Sequence, residues 1–227
     1  MSLLSADDLG AILLSLKVAS LATVAALPVA LAVAYVVARY RFPGRSLLDA
    51  VSHIPLVLPP VATGYVLLVL FGRQGPIGAI LAKFGIVLAF HWTGAALAGA
   101  VMAFPLMVRP IRLSIEAIDG EVEDAARTLG ASRIDRFLRV TLPLASPGLI
   151  SGAVLGFARA LGEFGATITF VAAIPGETLT LPSDIYLATQ SPGEETRTLL
   201  LCGISLVIAL GAIMTSDRIS ARMSARA

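Results

Sequence analysis

The chain has 227 residues, 57% hydrophobic and only 14% charged, with a net charge of +2 and a mean hydropathy of +0.88. A soluble domain carries roughly 25% charge, so this composition argues against a soluble globular fold and for a polytopic membrane protein. A single cysteine, Cys202, rules out an internal disulfide and, inside an apolar run, reads as a packing residue.

The first apolar segment spans about 11–38 and contains VASLATVAALPVALAVAYVVA, which lacks the polar face of an amphipathic soluble helix. Asp7 and Asp8, not lysine or arginine, precede it, so it is expected to be a span and not a cleaved leader. Lys17 within it is expected to snorkel outward. The connection 39–49 carries Arg39, Arg41 and Arg45. The second segment, about 52–71, contains Pro55, Pro59 and Pro60, and adjacent prolines should kink or interrupt a helix. Thr63 and Gly64 follow, offering a hydroxyl and a close backbone approach. Irregular backbone at membrane depth belongs where protein buries it or where it lines a cavity, so Pro59, Pro60, Thr63 and Gly64 are candidates for a translocation path or gate.

A Gly-rich connection, 72–85, leads to the third segment, about 86–108, with His91 and Trp92 at its start and Phe104-Pro105 as a possible kink. The connection 109–143 holds six arginines. Glu121, Glu123 and Asp124 suit the positive end of a helix running to Leu129. Gly130 suits a C-terminal stop, and Ser132 can cap a second short helix over about 133–141. There Ile134, Phe137, Leu138 and Thr141 share one face.

The fourth segment, about 144–172, carries Arg159 and Glu163 at i, i+4 on one helical face. Each ionisable residue in a bilayer costs roughly 2.5–3.5 kcal/mol, so the pair is either a self-neutralising structural pair or, like Pro59, Pro60, Thr63 and Gly64, a lining of a path or gate. Gly162 and Gly165 could let the helix break there. The fourth connection, 173–197, has Arg197 as its one cation, and the fifth segment, about 198–216, ends in a tail with Arg218, Arg222 and Arg226.

The first and third connections and the tail hold 12 basic residues against 3 in the other two. The positive-inside rule then places the N-terminus outside and the C-terminus and loop 109–143 in the cytoplasm. Alanine, glycine and leucine dominate the spans, which favours close helix contact. The expectation is one all-α membrane domain, 1–227, with about five transmembrane helices.

Asp124-Ala125-Ala126, three residues, Gly130, nine residues and Val140-Thr141-Leu142-Pro143 together resemble the cytoplasmic signature loop of ABC-importer permeases. That pattern is Glu-Ala-Ala, three residues, Gly, nine residues, Ile-x-Leu-Pro, and the two departures keep acidic and β-branched character. The resemblance implies the type I ABC-importer permease fold and a coupling helix, 121–141, docking on a separate ATPase. Asp124, Ala125, Ala126, Gly130, Ile134, Phe137, Leu142 and Pro143 are its coupling residues. HIPLVLPPVATGY (53–65), AVMAFPLMVR (100–109), ARALGEFGATITFVAAIPGET (158–178) and LPSDIY (181–186) are similar to molybdate-type permease subunits over about 11–215. That likeness implies a homodimer in the bacterial cytoplasmic (inner) membrane, two copies of a cytoplasmic ABC ATPase, and a periplasmic or extracellular binding protein delivering molybdate, with tungstate as the second candidate. Sulfate and thiosulfate permeases share the Gly-Glu-Phe-Gly core and are the alternative.

Neither lysine, Lys17 after Leu16 nor Lys83 after Ala82, belongs to a Gly-Lys-Ser/Thr phosphate loop. The chain is therefore expected to be non-catalytic and to bind no cofactor, with ATP and Mg used by the partner. His53 and His91 lie in different segments, so no metal site is expected, and no nucleic-acid partner either. An ATP-independent secondary transporter would show internal repeats and more intramembrane charges, and a membrane enzyme lacks any nucleophile, base or metal constellation.

Overall fold

The computed structural model describes residues 4–224, with side chains described to residue 212 and at Met214, so the side chains of Arg218, Arg222 and Arg226 lie outside the described residues. Every regular element among them is helical. Helix α1, Ala6–Arg39, starts at a reciprocal cap in which Ser5 and Asp8 each accept from the other's backbone N–H. Its 34 residues reach about 51 Å at 1.5 Å per residue, well beyond a hydrocarbon core of about 30 Å.

Ala19, Ala22, Ala26, Ala30 and Ala34 recur at three- and four-residue spacing along α1 and are all buried. They meet Ala103, Met107, Val108, Ile111 and Ile115 of α5, Trp92–Glu116, and Ala160 and Leu161 of α9, Ser146–Leu161. Helix α9 lies against α5 because Gly148, Gly152 and Gly156 face it at four-residue spacing. A Cβ at Gly148 would stand 2.6 Å from the Pro110 carbonyl oxygen, and one at Gly152 3.0 Å from that of Met107. Small residues thus set the interhelical distance, as lipid-embedded packing requires.

The other elements follow from local breaks. Gly44, at φ +97°, hands the chain to α2, Arg45–Val57. Pro59 and Pro60 then separate α2 from α3, Pro60–Phe71, with a bend of 114°. The expected single segment 52–71 is therefore two helices, because neither proline has an N–H to continue the ladder. A short α4, Gly78–Ala82, precedes α5. Pro105 and Pro110 lie inside α5 without ending it, so the third segment, expected at 86–108, runs from Trp92 to Glu116. Arg109 and Arg112 are helical and the following loop is shorter than expected. Neighbouring helices packed on both sides allow such interior prolines.

Helix α6, Gly120–Thr128, is followed by α7, Arg133–Arg136, which continues as a π-helical turn over Phe137–Thr141. The expected 144–172 segment is divided into α8, Leu142–Leu144, α9, and α10, Gly165–Phe170. The fourth connection holds a helix, α11, Leu181–Thr189, and α12, Glu195–Ser224, ends the fold. Among the described residues three helices are long and apolar enough to cross a membrane, or five spans if each of two bent pairs counts as one.

Candidate functional site

Three places concentrate polar chemistry: the 120–143 loop, the two helix breaks, and a charge cluster at the opposite end of the bundle.

In the loop, Asp119 caps α6 by accepting from the Glu121 N–H at 3.0 Å, Gly130 takes φ +84°, and Ser132 accepts from the Asp135 N–H. These are the stop and cap expected of those residues. The Ser132 hydroxyl also donates to the Asp135 carboxylate and holds it below its ordinary range. The segment is anchored at few points. Arg39, closing α1, meets Glu123 at 2.8 Å, and the Thr141 hydroxyl donates to the same carboxylate oxygen at 2.9 Å. The Phe137 ring stands edge-on to Tyr35, centroids 5.0 Å apart. No residue of α6 or α7 is buried. Leu129 is 88% exposed and Ile134 71% exposed, which a soluble surface would not favour in so small a segment. Asp124 and Ala125 are exposed beside them, Ala126 is half-buried, Leu142 is half-buried and Pro143 is exposed. Of the eight coupling candidates, Phe137 packs its ring on the bundle, Ala126 and Leu142 are half-buried, and Asp124, Ala125, Gly130, Ile134 and Pro143 leave an open face.

At the breaks, α3 and α10 touch backbone to backbone. A Cβ at Gly64 would stand 2.5 Å from the Ala166 carbonyl oxygen, and one at Gly165 2.7 Å from Pro60 Cβ. The structure thus brings Pro60 and Gly64 together with the segment just beyond Glu163, a pairing that sequence spacing could not give. Thr63 is buried in this region and its hydroxyl has no hydrogen-bond partner among the described residues, while Pro59 and Pro60 are exposed at the elbow. Arg159 Nη1 meets Glu163 Oε2 at 2.6 Å. The helix ends between them, as Gly162 and Gly165 suggested, and the other Glu163 oxygen accepts from the Ala166 N–H at 2.7 Å. Glu163 therefore bridges the last turn of α9 and the first of α10. The Phe164 ring packs on Tyr186 of α11 at 4.7 Å.

The opposite end holds a cluster that the sequence did not reveal. Arg197 of α12 meets Asp8 at 2.5 Å, Asp184 of α11 at 2.7 Å and Glu194 at 2.5 Å, and Asp8 and Asp184 are almost fully buried. Burial pushes the Asp184 carboxyl above its ordinary range, against the pull of Arg197. Asp8 sits beside Asp7, and Glu194 beside Glu195 and close to Arg197, but nothing local joins the 8, 184 and 194–197 positions to one another. Lys17 lies over the Trp92 ring at 3.6 Å, which gives its amine an aromatic seat, and His91 caps α5. Toward the loop end, Arg112 pairs with Asp49 and Glu116, each at 2.8 Å, and His53 bonds the Asp49 carbonyl oxygen through Nδ1. No group of three metal-ligating side chains is placed to hold an ion among the described residues.

With this geometry in hand, the chain can be compared with known proteins. Residues 26–223 match the family model described as binding-protein-dependent transport system inner membrane component. The molybdenum transport system permease protein ModB of Escherichia coli (strain K12) is 56% identical over 208 residues, covering 91% of both chains. The protein of the same name from Haemophilus influenzae is 52% identical over 217 residues, 95% of both. Among solved structures, a chain of the inward-facing MetNI methionine ABC transporter superposes with a TM-score of 0.75 over 95% of each chain, at 18% identity, a likeness of fold alone.

Proposed function

The chain belongs to the family of binding-protein-dependent transport system inner membrane components, and we infer that it is the membrane-spanning subunit of a molybdate ABC importer. The observation that carries the substrate is the 56% identity to a molybdenum permease across 91% of both chains. It is a multi-pass inner-membrane protein of the transport kind. Tungstate, nearly the same tetrahedral dianion, is its second candidate cargo.

The finer parts of this reading rest on physical support. ATP is hydrolysed by a separate cytoplasmic ABC ATPase, two copies of which serve a homodimer of this chain, and a binding protein outside delivers the oxyanion. The loop supports the ATPase contact. Its open face carries Leu129 and Ile134 beside Ala125 and Arg127, an apolar patch rimmed by charge such as docking surfaces present. Its tether through Glu123 to Arg39 of α1 would pass a displacement directly into the longest span. The arginine count supports an inner loop with the N-terminus outside. The broken spans support a path near Pro59, Pro60, Thr63, Gly64, Arg159 and Glu163, since irregular backbone at that depth needs protein or water around it.

Uptake of labelled molybdate into vesicles holding this chain, its ATPase and the binding protein tests the reading. Accumulation that needs ATP, and that tungstate but not excess sulfate blocks, is the expected result. Sulfate displacing molybdate would instead assign the chain to sulfate transport.

A further inference from the structure

We infer that Arg159 and Glu163 have separate tasks in the transport just described: Arg159 is the group the passing oxyanion touches, and Glu163 is a positioning residue that holds it without meeting substrate. The inference rests on the importer reading and deepens it.

The two partners of the pair are unequal. Both oxygens of Glu163 are committed, one to the Ala166 N–H and one to Arg159, and its side chain is 2% exposed. Removing it would free the first turn of α10 and leave the guanidinium unbalanced. Arg159 is 26% exposed. Its one polar contact is the ion pair with Glu163 Oε2 at 2.6 Å, made through Nη1. No other described residue accepts a hydrogen bond from the guanidinium. A guanidinium carries five N–H donors in a planar fork, so most of this one's capacity is unspent.

Depth makes that unspent capacity meaningful. Arg159 lies 13 residues into α9 from Ser146, about 20 Å along the axis, well inside a core of about 30 Å. Donors left open there cannot face lipid chains and call for water or an anion. They also lie one turn before the irregular stretch 162–164, where the backbone itself requires a cavity or protein cover. A planar fork suits the edge of a tetrahedral oxyanion, and a lysine at the same place would offer only a point charge. The carboxylate behind the guanidinium keeps the resting pair neutral and weakens its hold on a dianion, so that the anion is bound in passing and then released.

The separation predicts different failures in the assembled importer, read as oxyanions moved per ATP at saturating loaded binding protein. Arg159→Lys keeps the charge beside Glu163. It should keep ATP hydrolysis within about twofold of wild type and move about tenfold fewer oxyanions per ATP, the loss expected for charge-assisted hydrogen bonds. The neutral pair Arg159→Gln with Glu163→Gln should fail in the same way. Glu163→Gln alone still caps α10 through its amide oxygen but no longer offsets the guanidinium. It should slow turnover while leaving oxyanions per ATP near wild type. Wild-type ratios for Arg159→Lys would overturn the inference and make the pair a structural pin, as would a parallel fall of ATP hydrolysis and uptake. Failure of the wild-type assembly to carry molybdate would instead overturn the importer reading itself.

Discussion

The two ends of the bundle handle charge in opposite ways. At one end, Asp8, Asp184, Glu194 and Arg197 draw three helices together, with two of the carboxylates buried. At the other, the 120–143 segment carries its charges on the surface, leaves Leu129 and Ile134 in the open, and is tied to α1 through Glu123. The first arrangement spends charge on holding the chain's own helices. The second spends little on the chain itself and leaves apolar surface unpaired, as a segment made to meet another protein should. On the proposed reading, stability and docking fall at opposite ends, and substitutions at the two ends should fail differently.

The largest effect on the chain itself is expected at Arg197. Arg197→Gln leaves buried carboxylates without a cation, and removing one partner from a buried pair costs about 3–5 kcal/mol; the partial exposure of Arg197 puts the loss toward the lower figure, readable as a fall in melting temperature in detergent. A change of less than about 0.5 kcal/mol would mean that the cluster does not hold the helices. In the loop, Ser132→Ala removes the cap of α7 and should cost about 1 kcal/mol of local helix stability, seen as faster amide exchange over 133–136 with no change at the far end.

Asp184→Asn should be close to neutral at pH 7, because Arg197 keeps Asp8 and Glu194. Its signature is in the pH dependence. Folding raises the Asp184 carboxyl above its unfolded value, so the stability gained by protonating it is fully present below the ordinary carboxylate range and is lost as pH rises through the raised value. Wild type should therefore gain stability relative to Asp184→Asn as pH falls from neutral toward that range, and parallel curves would contradict the assignment. The smallest effect on the isolated chain belongs to Leu129→Asp with Ile134→Asp, within about 0.5 kcal/mol of wild type for exposed sites. The same double substitution should lower ATPase binding to membranes by at least about tenfold, since each buried leucine or isoleucine side chain contributes on the order of 1.5–3 kcal/mol.

Much of this contrast was legible in the residues. Apolar runs located the three long helices α1, α5 and α12, the acid–Gly–Ser order located both loop helices, and Pro59-Pro60 and Gly162 located the breaks. Boundaries failed where interior proline was overridden by packing: nothing local says that Pro105 and Pro110 continue a helix to Glu116, because the decision is made by α1 and α9 on either side. Contacts between distant segments, such as Gly64 with Ala166 or Asp8 with Arg197, 189 residues apart, have no local signal at all. The loop was readable because its cap, stop and exposed face are local. The charge cluster was not, because it exists only once three helices meet.

The most direct test of the account is to measure ATPase binding and molybdate uptake on the same vesicles, with wild-type chain and with the Leu129→Asp, Ile134→Asp double variant. The prediction is that both fall together in the variant while the chain remains folded in the membrane. Uptake that persists after the ATPase has been lost, or that ignores ATP in wild type, would contradict a loop that carries the work of ATP hydrolysis into the membrane.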